Sequence, residues 1–266
     1  METFVSKDGT QIAYARSGSG PGLLLVHGTS ADHTRWPTIL PTLEKHFTVY
    51  AMDRRGRGGS GDTADYSIER EFEDVAGLVN TIHDATGEPV HLFGHSYGAT
   101  CAAEAARLTS DIDRLILYEP PPPGDQDLCS PETLAKLQSL LEAGDRDALV
   151  SSFLTEVAGL SAAELENARA APTWQGRRAA AHTIIRETQA EQTLPPFDPA
   201  RYRTITAPTL LLMGGASLPE FKKTTQQFHA ALPNSRLVEL PDQKHVAMNT
   251  APNLFLRAIF DFLGVE

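Results

Sequence analysis

The residue best placed to do chemistry is Ser96, in the run Val90-His91-Leu92-Phe93-Gly94-His95-Ser96-Tyr97-Gly98-Ala99-Thr100-Cys101-Ala102. A β-branched and aromatic stretch with strand character meets an Ala-rich stretch with helix character, and Ser96 stands at the join. Gly94 and Gly98, two residues to either side, permit a turn too tight for Cβ atoms and a close approach of strand to helix. Such a turn holds a hydroxyl out in a strained, exposed position, as nucleophilic attack on an acyl carbon requires. A serine is weakly nucleophilic on its own. It needs a base, a group that orients the base, and donors for the charge that develops on the carbonyl oxygen.

The elements that must position these groups follow in order. Residues 2–6 and 10–16 are strand-like runs around Asp8-Gly9, a hairpin dipeptide. Leu23-Leu24-Leu25-Val26 is a continuous apolar run of the kind covered on both faces, and it delivers His27-Gly28-Thr29. A helix over 34–45 carries Trp36, which is placed at the pocket, with Pro37 in its first turn. Residues 47–53 are a strand, followed by the glycine-rich stretch Arg54 to Gly61. That stretch has neither the Walker spacing nor a dinucleotide fingerprint, and is taken as a structural turn. Residues 68–86 place Ile68, Phe72, Val75, Leu78, Val79 and Ile82 on one helical face.

After the Ser96 strand and a helix over 97–109, Leu115-Ile116-Leu117-Tyr118 is a further buried strand. It ends in Glu119 and four prolines, which break the pattern. Residues 125–203 then read as helices without strands, over 131–143, 146–157, 162–170 and 176–190. The strand pattern resumes at 209–213 and 236–240, with helices over 218–232 and 252–263. His245 lies in the loop after the last strand.

The 266 residues can hold one large α/β domain or two small ones, and 41% hydrophobic with 21% charged residues is ordinary for a globular chain. A net charge of -11 argues against nucleic acid and against anionic membrane surfaces. No run approaches the roughly 20 apolar residues of a membrane span. Two cysteines, Cys101 and Cys129, suggest free thiols rather than a disulfide framework, and the amino terminus lacks signal-peptide features, so a cytoplasmic protein is expected. No metal-ligand spacing, cysteine pair or cofactor fingerprint is present, so neither metal nor cofactor is expected.

The Gly94-x-Ser96-x-Gly98 elbow, the His27-Gly28 pair after a buried strand, and the order of serine first and histidine last resemble the α/β-hydrolase family over nearly the whole chain. The resemblance implies a mostly parallel sheet flanked by helices, with a core of residues 1–124 and 204–266 and an all-helical cap of residues 125–203. It implies Ser96 as nucleophile, His245 as base, and the amides of Thr29 and Tyr97 as oxyanion donors, while the His27 side chain is scaffold. The third triad position is where the chain departs from the family. Most members carry an aspartate after the strand matching 209–213, and here that loop reads Gly214-Gly215-Ala216-Ser217-Leu218-Pro219-Glu220. Other members place the acid after the strand that follows the nucleophile helix, which is Glu119, at a carboxyl edge where catalytic groups of open sheets gather. Glu119 is preferred both to the absence of any acid partner and to Glu220.

A cap would set apolar side chains over Ser96. Leu137, Leu140, Phe153, Leu154, Val157 and Trp174 are candidates, with Phe153 and Trp174 taken as substrate contacts, although the same side chains could form the cap's own core. His182 is structural. A serine at the elbow argues against the dehalogenase and epoxide hydrolase chemistries, which need an aspartate there. The expected function is metal-free serine hydrolysis of a small-molecule carboxylic ester, lactone or thioester. The alternatives are a cofactor-free cyclisation or elimination on the same fold, or a ligand-binding protein with a decayed triad. Oligomeric state is not readable.

Overall fold

A computed structural model describes residues 1–124 and 128–265. The described residues form an eight-stranded sheet in the order β1-β2-β4-β3-β5-β6-β7-β8. The strands are β1 Glu2–Val5, β2 Gln11–Gly18, β3 Gly22–Val26, β4 Thr48–Met52, β5 Val90–His95, β6 Ile112–Tyr118, β7 Thr209–Gly214 and β8 Ser235–Leu240. β2 pairs antiparallel with both of its neighbours, β1 and β4, and the β1–β2 edge hairpin turns at Gly9 with φ +86°; from β4 to β8 every pairing is parallel.

The apolar runs become central strands because both of their faces are covered. Side chains alternate across a strand. Thus Leu24, Val26, Leu92, Leu115, Leu117 and Leu211 lie in one core cluster, while Leu23, Leu25, Phe93, Ile116, Leu210 and Leu212 lie in the other. The helices α2 (Ile68–Thr86) and α3 (Tyr97–Ala105) close the first face, with the predicted stripe Ile68, Phe72, Val75, Leu78, Val79 and Ile82 buried against it. The second face is closed by Trp36, by α1 (Leu40–Leu43) and, near the carboxyl end, by α12 (Pro252–Leu263).

Between β6 and β7 the described residues hold α4 (Pro131–Glu142), α5 (Arg146–Ser152), α6 (Ala162–Ala170), α7 (Trp174–Ala179), α8 (Thr183–Thr193) and α9 (Pro199–Tyr202), and no strand. Leu137, Leu149, Val150, Trp174, Ala181 and Ile184 form a core of their own within this segment. The start expected at residue 125, and the chain end at 266, lie outside the described residues. The remaining helices are α10 (Pro219–Ala231) and α11 (Ala247–Thr250).

Three expected helices differ in form. The helix over 34–45 is a short 3-10 turn, His33–Arg35, followed after a break by α1; Pro37 lacks an N–H, and Pro41 is accommodated only in the first turn of α1. The helix over 146–157 widens after Ser152 into a turn in which the Ala158 amide reaches back five residues to the Phe153 carbonyl at 3.1 Å. The helix over 176–190 is three pieces, α7, a 3-10 turn at Ala180–His182, and α8.

Candidate active site

β5 runs into α3 through a single residue, Ser96, whose φ of 57° and ψ of -129° are strained for a side chain. The turn exists because the chain can close around it. A Cβ on Gly98 would lie 2.3 Å from the Val26 carbonyl oxygen, and one on Gly94 would lie 2.3 Å from the Gly98 oxygen. From residue 90 to 105 every position but Ser96 is buried, so the serine alone reaches solvent. Its amide is fixed by donation to the Tyr118 carbonyl at 2.9 Å.

The register His95↔Tyr118 sets Ser96 and Glu119 at the same level, at the carboxyl ends of neighbouring strands. Glu119 is fully buried, with φ 48°. One carboxylate oxygen accepts the Gly214 amide at 2.7 Å and the other lies 2.6 Å from His245 Nδ1. The loop in which most of the family would carry an aspartate therefore supplies a backbone donor that clamps Glu119 instead. A carboxylate at Nδ1 requires a proton there and leaves Nε2 as the acceptor.

The rest of the His245 surroundings hold the ring in place. Phe221 stacks on it with centroids 4.1 Å apart and planes 19° apart. The Tyr118 hydroxyl donates to the Lys244 carbonyl and accepts the Ala247 amide at 3.1 Å, tying the loop on both sides of the histidine. His95 Nε2 donates to the His245 carbonyl at 2.9 Å. Burial, and then the adjacent His245, push His95 well below the ordinary histidine range, so it stays neutral. His245 and Ser96 line one cleft; no hydrogen bond joins Ser96 Oγ to His245 among the described residues.

His27 is scaffold in this geometry. Its Nε2 accepts the Arg54 amide at 3.2 Å and Nδ1 lies 2.8 Å from the Gly28 carbonyl, while burial and then Arg54 hold its pKa well below the usual value. Gly28 lets the loop touch the elbow, since a Cβ there would sit 2.9 Å from Ser96 Cβ and 3.1 Å from the His95 oxygen. Thr29 follows at the edge of the cleft. Tyr97 opens α3, where a first-turn amide has no helical acceptor. Neither the Thr29 nor the Tyr97 amide donates to an acceptor among the described residues. The Tyr97 side chain points away into the core, 2.6 Å from the Tyr66 hydroxyl.

The cleft over Ser96 has about 400 Å³ of empty space, part of it open to solvent. Phe153 lines it, as expected, with Leu154, Ala158 and Leu160. Two placements are corrected. Trp36 is fully buried on the far face of the sheet, 5.3 Å from Phe93 between ring centroids, because the broken helix carries it into the core. Trp174 belongs to the core of the helical segment, where its Nε1 donates to Asp147 at 2.8 Å. Glu220 is in the first turn of α10, and no hydrogen bond or ion pair joins it to His245 among the described residues.

Sequence reasoning missed Arg35 and Arg177, which line the cleft, together with Phe221 and Tyr118 behind the histidine. No motif marks the arginines. Asp32, His33 and Asp53 bring metal-ligand atoms within 4.8 Å of one another. Their bonds serve the turns after β3 and β4, since Asp53 accepts the His33 and Gly59 amides, each at 2.8 Å, and Asp32 accepts the Thr34 amide at 2.9 Å. No helix of the described residues is long and apolar enough to cross a membrane.

Comparison with known proteins agrees with this architecture. A protein from Mesorhizobium japonicum named 2-(acetamidomethylene)succinate hydrolase is 27% identical over 255 residues, 92% of this chain and 89% of that one. An α/β hydrolase from Sphaerobacter thermophilus superposes with a TM-score of 0.81 at 37% identity, over 98% of this chain and 100% of that one. An enol-lactonase from Burkholderia xenovorans shares the fold, with a TM-score of 0.78 at 22% identity over 99% and 100% of the two chains. The model of the alpha/beta hydrolase family matches residues 23–258. That span runs from the strand before the His27-Gly28 loop to the helix after His245, and the chain belongs to the α/β-hydrolase family.

Proposed function

We propose that this protein is a metal-free serine hydrolase that transfers the acyl group of a small carboxylic ester, lactone or thioester to Ser96 and then to water. The observation that carries this reading is the Glu119 carboxylate, held by the Gly214 amide at 2.7 Å and set against His245 Nδ1 at 2.6 Å. A buried carboxylate there keeps Nε2 free to accept a proton and stabilises the imidazolium that forms.

The steps use this chain's own groups. Ser96 Oγ attacks the acyl carbon as His245 Nε2 takes its proton, and the carbonyl pair moves to oxygen, facing the amides of Thr29 and Tyr97. Collapse of the adduct breaks the bond to the leaving group, which takes the proton from His245. Water, deprotonated by the same nitrogen, then attacks the acyl-serine, and a second collapse releases the acid and restores Ser96. Losing one oxyanion donor typically costs ~10²-fold or more in such reactions.

The helical segment acts as a cap in this reading, supported by Phe153, Leu154 and Leu160 lining the cleft. The name of the Mesorhizobium relative supports hydrolysis over a non-hydrolytic reaction. Cys101 and Cys129, both buried and unpaired, support a reducing cytoplasmic setting. The test is turnover of p-nitrophenyl acetate and butyrate, with a burst of p-nitrophenol equal to the enzyme if deacylation is slow. Ser96→Ala is expected to lose on the order of 10⁶ in kcat with its melting temperature nearly unchanged. Wild-type turnover in that variant overturns the mechanism.

A further inference from the structure

We propose that the cleft over Ser96 selects an acyl substrate carrying a free carboxylate remote from the scissile bond, bound between Arg35 and Arg177; this rests on the hydrolytic reading above.

The two guanidinium groups reach the cleft from different parts of the molecule. Arg35 ends the 3-10 turn after β3 and is 5% exposed, while Arg177 lies on α7 in the helical segment. Both line the space that Ser96 and His245 line. Their bonds are to neutral groups. Arg35 donates to Asn249 Oδ1 at 2.7 Å and to Met248 Sδ at 3.2 Å, and Arg177 donates to the Ser30 carbonyl at 3.3 Å and to Ser30 Oγ at 3.0 Å. Neither has a carboxylate within ion-pair distance among the described residues.

The other buried arginines show what this chain otherwise does with such a charge. Arg54 pairs with Glu71 and Glu187, Arg55 with Asp74 and Asp8, and Arg57 with Glu187. A guanidinium removed from water without an anion is costly, and two of them facing one cleft compound the cost. No aspartate or glutamate lines the cleft. In a chain of net charge -11 the cleft lining thus carries two arginines and no carboxylate, and the one carboxylate that acts on Arg177, Asp32, stands outside that lining and makes no ion pair with it.

Electrostatics agrees with the geometry. Burial lowers Arg35 to about 9, with the Arg177 charge adding to the effect, and burial lowers Arg177 to about 10 against the opposing attraction of Asp32. Both remain protonated at neutral pH, and a bound anion would relieve the strain on each. Each guanidinium has five N–H donors and spends few of them on the protein, so planar, two-point recognition of a carboxylate is open to both. Phe153, Leu154, Ala158 and Leu160 supply an apolar wall for the hydrocarbon body of such a substrate, and lower the local dielectric around the ion pair. His95, the neighbour of Ser96, lines the same cleft as both arginines, so the anion site and the reacting atoms share one space.

Two esters of equal acyl length test the proposal: monomethyl succinate, which is anionic, and methyl butyrate, which is neutral, each followed by methanol release. Wild-type kcat/KM is expected to favour monomethyl succinate by at least about tenfold, and Arg177→Gln and Arg35→Gln each to lower that ratio by about 10- to 100-fold, the range of a lost charge-assisted hydrogen bond. Succinate should raise the melting temperature of the Ser96→Ala protein, and Arg177→Gln should abolish that rise. An equal loss on both esters in the arginine variants would make these side chains struts between cap and core, and would overturn the proposal. So would turnover of both esters without preference and without stabilisation by succinate, an outcome that leaves the hydrolytic reading standing. Stabilisation by succinate with neither ester turned over would support the anion site and count against hydrolysis.

Discussion

At the scale of single residues, the site turns on which carboxylate meets His245. Glu119→Gln keeps the shape and can still accept the Gly214 amide, but it presents an amide to Nδ1 and favours the wrong tautomer. We expect kcat to fall by roughly 10³ to 10⁴ with little change in KM, while Glu220→Gln stays within about tenfold; full activity of the Glu119 variant would overturn its proposed role beside His245. Gly28 carries a second expectation. A Cβ there would press on Ser96 Cβ at 2.9 Å and on the His95 oxygen at 3.1 Å, both parts of a rigid elbow. Gly28→Ala should therefore cost about 1–3 kcal/mol of stability and displace the Thr29 amide from the cleft, lowering kcat more than KM. Unaltered kinetics and melting temperature would show that the loop yields freely. These residues were legible because their signals are local: two glycines around a serine, a histidine after the last strand, an acid at a strand end. Phe221, Arg35 and Arg177 were not, because each reaches the site from an element distant in sequence from Ser96 and nothing in its own neighbourhood marks it.

At the scale of elements, the strands were readable because period-two burial on both faces leaves unbroken apolar runs such as Leu23 to Val26 and Leu210 to Met213. Helix continuity was less readable. Pro37 breaks the helix that would have brought Trp36 to the pocket, and the chain between Phe153 and Ala158 opens into a wider turn that no propensity signals. That turn sorts the apolar residues of the helical segment by role. Phe153 and Leu154 lie on it and line the cleft while also packing in the segment's own core, whereas Leu137 and Trp174 belong to that core and do not line the cleft. Leu154→Ala should shift selectivity among p-nitrophenyl acetate, butyrate and hexanoate, by the ~1 to 3 kcal/mol that a methylene or two is worth in an apolar pocket. Trp174→Ala should instead lower the melting temperature, at a cost of about 3–5 kcal/mol, with chain-length preference preserved. Uniform kinetic effects of Leu154→Ala across the three esters would assign it to packing.

At the scale of the whole molecule, the helical segment is fastened to the sheet domain by buried charge. Arg54, just after β4, donates to Glu71 of α2 at 2.6 Å and to Glu187 of α8 at 2.9 Å, and Arg57 also meets Glu187. The Arg54 guanidinium lies 4.4 Å over the Tyr97 ring, so the network reaches the first residue of the helix that follows Ser96. One turn further along α8, Glu191 has no arginine to itself, and its Oε1 is sealed from solvent without a hydrogen-bond partner. Burial pushes its pKa up to about 8; the attraction of Arg54 opposes this and the repulsion of Glu71 adds to it. A carboxyl with a folded pKa near 8, against an ordinary value near 4.3, binds its proton more tightly in the folded state. Its contribution to stability is thus complete below about pH 4, declines as the pH rises, and is lost once the pH passes about 8. Glu191→Gln keeps the neutral form at every pH. The melting-temperature advantage of that variant over the wild type should therefore be small at pH 4.5 and clearly larger at pH 8.5; an equal difference at the two pH values would mean that Glu191 titrates normally in the folded protein.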